Sequence, residues 1–427
     1  MTGPFLRRRM STHRAATWCP GAALRITDEE TMAATLRRII APLAIASLLA
    51  ACAQAPVRGL PATSSAVAES GLRLRLIGEQ RIDWKHDYQG TAVGGLSGID
   101  YDAKNARWIM TSDDRSAINP ARFYTAKLRY DAQHVSPVEL TGVHFYRQAD
   151  GSTYPDIRAW RTKGGEVPDI ESIRLDPRDG SVWYTSEGDR KLGAQPFIRH
   201  ARADGSLIAT LPLPAMFAMP APGAAAQATP SGVRDNLGFE GLSFAADGQS
   251  LWAAIEAPLL QDGPVADFIS GAHNRITRFG RDGRVLAQYV YPLDKVASIA
   301  GPTRFAENGI SEILAIDEHR LLVIERAGVQ DAQGVFHEFV RVYEMDVRGA
   351  TDVTAMPALA GASYTAASKR LVLDMNALNL PRLDNIEGIS WGPTLANGHA
   401  SLVMVSDDNF HDKIQVMQFL VFEVLPR

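Results

Sequence analysis

The stretch Gly238-Phe-Glu-Gly-Leu-Ser-Phe244 and its continuation Ser250-Leu-Trp-Ala-Ala-Ile-Glu256 form a two-part phrase that occurs five times in the chain. The first halves are Leu96-Ser-Gly-Ile-Asp100, Ile170-Glu-Ser-Ile-Arg174, Phe239-Glu-Gly-Leu-Ser243, Ile310-Ser-Glu-Ile-Leu314 and Ile386-Glu-Gly-Ile-Ser390. The second halves are Trp108-Ile-Met-Thr-Ser-Asp113, Val182-Trp-Tyr-Thr-Ser-Glu187, Leu251-Trp-Ala-Ala-Ile-Glu256, Leu321-Leu-Val-Ile-Glu325 and Leu402-Val-Met-Val-Ser-Asp407. Aligning the first halves puts Ser97, Glu171, Glu240, Ser311 and Glu387 in one column, 74, 69, 71 and 76 residues apart. Self-similarity at a fixed period marks a repeat architecture and outranks local propensity in deciding the fold.

Within a unit, apolar and polar residues alternate at period two, as in Arg275-Ile-Thr-Arg-Phe279, Val285 to Tyr291, Glu338 to Tyr343 and Gln415 to Val424. That alternation is a strand signal. Asp179-Gly180, Asp204-Gly205, Asp247-Gly248, Asp282-Gly283 and Asn397-Gly398 separate such runs, and these dipeptides suit tight antiparallel reversals. Four strands fit between Glu240 and Ser311, the size of a propeller blade. The last unit holds three strands, near 387–391, 401–406 and 414–424, and an unmatched strand at 72–83 precedes the first unit. Pairing that strand with the last unit closes the ring and leaves no exposed edge. The expected fold is all-β, a β-propeller of five four-stranded blades closed by the N-terminal strand. The alternative of six blades would place strands within 141–168 or 210–236; both read as loops, the second carrying Pro220-Ala-Pro-Gly-Ala-Ala-Ala-Gln227.

The 427 residues are 46% hydrophobic and 22% charged with a formal net charge of -4, which fits a sizeable core and gives no basic excess for nucleic acid. Only Cys19 and Cys52 are present, both before the repeats, so neither a disulfide framework nor a cysteine zinc site is available. Arg37-Arg38, the apolar run Ile39 to Leu49, and Leu49-Ala-Ala-Cys52 have the charged, apolar and small-residue regions of a secretory signal. The run is shorter than the ~20 residues that span a bilayer. The closing cysteine resembles that of a bacterial lipoprotein signal, which implies Cys52 as the lipidated residue. Met32 then starts the signal at 32–52, residues 1–31 read as an over-extended start, 53–70 as a flexible tether, and 71–427 as the propeller. Ala53 after the cysteine implies, by the same resemblance, an outer-membrane anchor facing the periplasm. A monomer is expected.

In a hairpin, the start of the first strand lies beside the end of the second. The opening acids Glu171, Glu240 and Glu387 and the closing acids Asp113, Glu187, Glu256, Glu325 and Asp407 are therefore expected to meet at one mouth of the ring. Neighbouring carboxylates push each other's pKa upward unless cations compensate. Arg115, Arg190 and Arg326 supply some positive charge, and the remaining demand suits a hard divalent ion, Ca2+, which takes oxygen ligands from carboxylates. All eight acids are candidate metal ligands; Glu187, Glu256 and Glu325 are the candidate catalytic groups; Arg115, Arg190 and Arg326 are candidate binders of an anionic, phosphorylated ligand. Repeat acids also hold blades together by bonding backbone amides, so a purely structural role stands beside this one. No Gly-x-Ser-x-Gly elbow, zinc-binding histidine pair, P-loop or dinucleotide glycine motif is found.

Gly95-Leu-Ser-Gly-Ile-Asp-Tyr-Asp102, Pro168-Asp-Ile-Glu-Ser-Ile173, Asn236-Leu-Gly-Phe-Glu-Gly-Leu-Ser243, Asn308-Gly-Ile-Ser-Glu312 and Asn385-Ile-Glu-Gly-Ile-Ser-Trp391 together resemble the phytase-like family named for an esterase-like activity, over about residues 90–410. The resemblance implies an exported bacterial propeller that hydrolyses a small phosphate ester with the help of calcium. The chain departs from calcium-dependent propeller phytases in its five readable repeats and few basic residues at the mouth. A lactone or carboxyl-ester hydrolase of calcium-propeller type, and a non-catalytic glycan- or ligand-binding envelope module, are the alternatives.

Overall fold

The computed structural model describes residues 71–163, 166–219, 231–299, 301–411 and 415–425. The expected extension, signal, tether and Cys52 lie outside these residues, as does the whole Ala/Pro/Gly run at 220–227. Five four-stranded antiparallel sheets make up the fold. Blade 1 comprises Leu96–Asp102, Arg107–Ser112, Arg122–Lys127 and Glu139–Phe145. Blade 2 comprises Ile173–Leu175, Val182–Ser186, Phe197–Ala201 and Leu207–Thr210. Blade 3 comprises Phe239–Phe244, Ser250–Ile255, Ala272–Gly280 and Val285–Leu293, and blade 4 Thr303–Ala315, Arg320–Asp331, Phe336–Asp346 and Ser368–Asp374. Blade 5 takes Asn385–Trp391, Ser401–Asp407 and Met417–Leu425, and its outer strand is the N-terminal Arg73–Ile82, paired antiparallel from Arg73 opposite Leu425 to Ile82 opposite Met417. Five blades and closure by the first strand match the expectation. The segment 141–168 supplies only the end of blade 1 and a single helical turn at Trp160–Lys163.

Burial falls from the axis outward. The inner two strands of blade 3 are almost wholly buried, whereas the outer strands Leu207–Thr210 and Ser368–Asp374 are largely half-exposed or exposed. Blade faces pack on one another: Trp252, Ile276 and Tyr291 of blade 3 lie against Ile310, Ile313 and Val323 of blade 4. Val403, Val405 and Phe419 of blade 5 pack with Ile99, Met110 and Tyr124 of blade 1, sealing the ring. Each such side chain contributes roughly 1.5–3 kcal/mol when fully removed from water.

A charged pair plugs the axis. Arg174 donates from Nη1 to Ile99 O at 2.6 Å, and from Nη2 to Ile313 O and Ile389 O at 3.1 Å each. Its Nη2 also lies 2.7 Å from Glu312 Oε2, and Glu312 accepts from Ser172 Oγ at 2.6 Å and Leu242 N at 2.8 Å. These bonds reach all five blades. Buried charges need such saturation, because removing one partner leaves an uncompensated ion in the core.

The innermost strands share a second device. Leu96 pairs with Ser112 and Gly98 with Thr111; Ile310 with Glu325 and Glu312 with Ile324; Ile386 with Ser406 and Gly388 with Val405. One extra residue, Ser97, Ser311 or Glu387, therefore stands in each first strand, and blade 3 has the same irregularity between Phe239 and Leu242. A β-bulge re-aims the side chain it carries. The opening column of the repeat is thus the bulge column, at the mouth of the ring.

Candidate functional site

The five inner hairpins open onto one cavity of about 1000 Å3. In four of the hairpins the closing acid returns to the residue just before the repeat's first apolar position. Asp113 N donates to Gly95 O at 2.8 Å, Glu187 N to Asp169 O at 3.1 Å and Glu256 N to Gly238 O at 2.8 Å, while Asp407 pairs with Asn385. Seven of the eight expected acids, Asp113, Glu171, Glu187, Glu240, Glu256, Glu387 and Asp407, line the cavity together. Six of them are buried, none more than 7% exposed, and Asp113 is half-buried. Glycine at two hairpin bases makes this crowding possible. A Cβ on Gly238 would lie 2.4 Å from Glu187 O, and one on Gly309 would lie 2.4 Å from Glu256 Cγ, so each closing acid leans over the next blade.

Glu325 is the exception and corrects the expectation for that residue. In blade 4 the pairing of Ile310 with Glu325 and of Gly309 with Arg326 makes Arg326, not Glu325, the counterpart of Glu256. The fourth copy of the phrase is one residue shorter, and side chains of a strand alternate between faces, so the shift turns Glu325 away from the mouth. Its carboxylate accepts from Tyr291 Oη at 2.7 Å, Asp294 N at 3.1 Å and Asn308 Nδ2 at 3.1 Å, and pairs with Lys369 Nζ at 2.5 Å. Tyr291 and Asp294 tie it to the end of blade 3, while Asn308 and Lys369 belong to blade 4 itself, so Glu325 pins the seam between these blades and does not line the cavity.

Two of the three expected arginines enter the cavity. Arg115 pairs with Asp169 and lies 2.9 Å from Asp189 Oδ2 and 3.9 Å from Glu187 Oε1. Arg326 donates from Nη1 to Asn385 Oδ1 at 2.6 Å and from Nη2 to Glu256 Oε1 at 3.2 Å, with Glu387 at 3.6 Å. Arg190 does not line the cavity; it sits in the 189–194 turn, where its N–H donates to Asp235 Oδ1 at 3.0 Å. Sequence reasoning missed Asp169, Glu307, Glu338, Asp384 and Asn385, all of which line the cavity. Asp169 and Asn385 carried a readable signal: each stands two positions before an opening acid in Asp169-Ile-Glu171 and Asn385-Ile-Glu387. Glu307 and Glu338 carried none, since they fall outside the repeated phrase.

Burial is the first cause of the electrostatics. It holds the carboxyls of Asp113, Glu171, Glu187, Glu240 and Asp407 well above the ordinary carboxylate range, and neighbouring carboxylates push them further. Glu256 is raised by burial to about 8, with Glu307 and Glu387 adding and Arg326 opposing. Two guanidinium groups cannot neutralise this many acids. The oxygens of Asp169, Glu171 and Glu187 lie within 4.8 Å of one another, as do those of Glu187, Glu240 and Glu256, with Glu187 common to both groups. An all-carboxylate, buried donor set of this spacing fits a hard divalent cation such as Ca2+.

Residues 91–410 match the sequence profile of a family described as Phytase-like, esterase-like activity of phytase. A comparison with curated protein sequences gives no match. Among solved structures, the chain is similar to a mannose phosphorylase from Leishmania mexicana in complex with phosphate ion, at 8% identity over 81% of this chain and 88% of that one, with a TM-score of 0.37. The catalytic domain of an α-L-arabinofuranosidase from Coprinopsis cinerea matches at 9% identity over 82% and 97%, TM-score 0.36. A B. subtilis levansucrase variant matches at 8% identity over 82% and 86%, TM-score 0.31. Likeness at this level carries no functional argument.

Proposed function

The chain belongs to the phytase-like family, and we propose that it is a calcium-dependent hydrolase of phosphate esters whose chemistry takes place in the acidic cavity at the mouth of the ring. One observation carries this reading: buried carboxylates from four blades converge there, with Arg115 and Arg326 set among them. Asp169, Glu171, Glu187, Glu240 and Glu256 would hold the cation, with Asp113, Glu387 and Asp407 completing the acidic wall. When bound, the ion supplies Lewis-acid charge for a phosphoryl group and for water. Arg115 and Arg326 bind and orient the phosphoryl oxygens, guanidinium being suited to bidentate recognition. Glu256 is the general base: burial raises its carboxyl to about 8 in the metal-free cavity, and a cation held beside it would lower that proton affinity, so that the group is ionised and able to take a proton near neutral pH. Water forms the new bond to phosphorus while its proton passes to Glu256 Oε1, beside Arg326 Nη2 at 3.2 Å; the bond from phosphorus to the alcohol oxygen breaks, the alkoxide takes a proton from solvent water and leaves as the alcohol, and Glu256 returns its proton to solvent.

The decisive experiment measures aryl-phosphate hydrolysis with and without EDTA, and after Glu187→Ala. Activity lost in EDTA, restored by calcium and reduced at least about tenfold in calcium affinity by the substitution supports the mechanism. Turnover unaffected by both treatments would sink it. The same proposal puts the protein in the cell envelope, tethered through Cys52, on the support of the sequence 32–52; incorporation of labelled fatty acid that survives Cys52→Ser would count against it.

A further inference from the structure

Blade 4 differs from the others in length. Its first three strands run 13, 12 and 11 residues, against 6 and 6 for the inner strands of blade 3 and 7 and 7 for those of blade 5. The surplus lies at the mouth, where 303–309, 326–331 and 336–340 stand beyond the ring as a three-stranded flap. Cross-strand partners share a face, and residues two apart along a strand share it as well. Three tiers of one face can therefore be read from the pairing. Phe305, Gln330 and Phe336 form the tip; Glu307, Gly328 and Glu338 form the middle; Gly309 and Arg326 form the base. Phe305, Glu307, Arg326, Phe336 and Glu338 all line the same cavity as the carboxylates. The face thus passes from aromatic, through two acids, to the guanidinium at the floor.

The tip is exposed in the protein alone. Phe305 and Phe336 stack edge to face with centroids 6.3 Å apart, yet remain 43% and 46% exposed, and Val335 between them in the turn is 55% exposed. If these side chains served only to hold the flap together they would be covered by it, and a charged or polar tip would suffice. In the middle tier Gly328 leaves room for no more than a methyl group, since a Cβ there would lie in van der Waals contact with Glu338 Oε2 at 3.7 Å. From base to tip is four residues of strand, roughly 13 Å. A ligand that reaches both ends must be polar at one end and apolar at the other.

We propose that the flap tip is a subsite for an apolar acyl or aryl group of the substrate, so that the protein acts on amphiphilic esters with one phosphoryl group rather than on a polyphosphorylated polyol. The proposal rests on the cavity being the phosphate site. A polyol carrying many phosphates would set further anions against Glu307, Glu338 and the aromatic tip, and Arg382, which also lines the cavity, is already paired with Asp384 at 2.8 Å. An apolar chain lies against Phe305 and Phe336 with its phosphoryl group at Arg326.

Calorimetric titration of the full chain in calcium tests this with two non-hydrolysable probes, methylphosphonate and decylphosphonate, kept below the concentration at which the latter forms micelles. Decylphosphonate is expected to bind at least about tenfold tighter, because several methylenes leave water. The Phe305→Ser/Phe336→Ser double variant is expected to remove that advantage and to bind methylphosphonate as the parent does, which shows that the cavity floor is intact. A decyl-to-methyl ratio near one in the parent, or a ratio unchanged by the double variant, overturns the apolar subsite alone. Failure of both probes to bind overturns the phosphate-site reading and the subsite together.

Discussion

Replacing Glu256 by Gln should stabilise the metal-free protein, by an amount that grows with pH. The carboxyl of Glu256 titrates at about 8 in the fold against an ordinary 4.5, chiefly because it is buried. A carboxyl whose pKa is raised on folding favours folding in its protonated form; its contribution is complete below about pH 4.5 and is lost as pH rises through 8. Each tenfold step in proton affinity is worth about 1.4 kcal/mol, so the loss between pH 5 and pH 8 is roughly 3–4 kcal/mol for this one group. Gln keeps the shape and has no charge to lose. Its neighbour Arg326 retains Asn385 at 2.6 Å and Glu387 at 3.6 Å. For roughly 350 folded residues, unfolding entropy near the melting temperature is about 0.7 kcal/mol/K, which converts this loss into about 5 °C. Scanning calorimetry in EDTA, of parent and Glu256→Gln at pH 5 and pH 8, should show a difference near zero to 1 °C at pH 5 and about 5 °C at pH 8. Using the difference between the two proteins removes other groups that titrate in the same window, such as His144 and His200, both lowered by burial. Calcium at a hundredfold over its Kd should raise the parent's stability by about 2.7 kcal/mol, and the variant's by less. A difference between the two proteins that does not change with pH would refute the claim that Glu256 is held uncompensated in the cavity.

Glu325→Gln separates the two carboxylate environments: calcium affinity and ester turnover should stay as in the parent, while chemical denaturation shows a loss of about 1–3 kcal/mol. Lys369 and Tyr291 lose their charged partner there. Arg174→Met should cost about 3–5 kcal/mol in the same denaturation experiment, because Glu312, which burial raises to about 7 even beside Arg174, must then take up a proton or stand as an unpaired buried charge; a double variant that also carries Glu312→Leu should recover part of that loss, and no recovery would count against the plug being an ion pair held at a desolvation cost.

The fold was legible because the information that specifies a propeller is local and repeated. Period-two alternation, Asp-Gly turns and the five-fold phrase each act within one blade, and the orphan strand at 73–82 could only complete the last one. The candidate site was legible to the extent that it reused the phrase: Asp113, Glu187, Glu256 and Asp407 follow from hairpin geometry alone. Glu325 did not, because a copy of the phrase shorter by a single residue reverses which face a side chain takes. Glu307, Glu338 and the Phe305–Phe336 tip were invisible for another reason. They belong to an extension of blade 4 that repeats nowhere, and only its pairing aims it over the mouth.

Sequence alone was enough for five antiparallel units, their closure by the N-terminal strand, and an acid at the closing end of all five inner hairpins. Tertiary structure decided which of those carboxylates share a cavity. Bulges swing Ser97, Ser311 and Glu387 out of strict alternation, Gly238 and Gly309 let neighbouring acids lean across the blade seams, and Arg174 with Glu312 closes the floor. Repulsion between buried charges acts through space between blades about seventy residues apart in the chain, so it is set by ring closure and not by any stretch of sequence read alone.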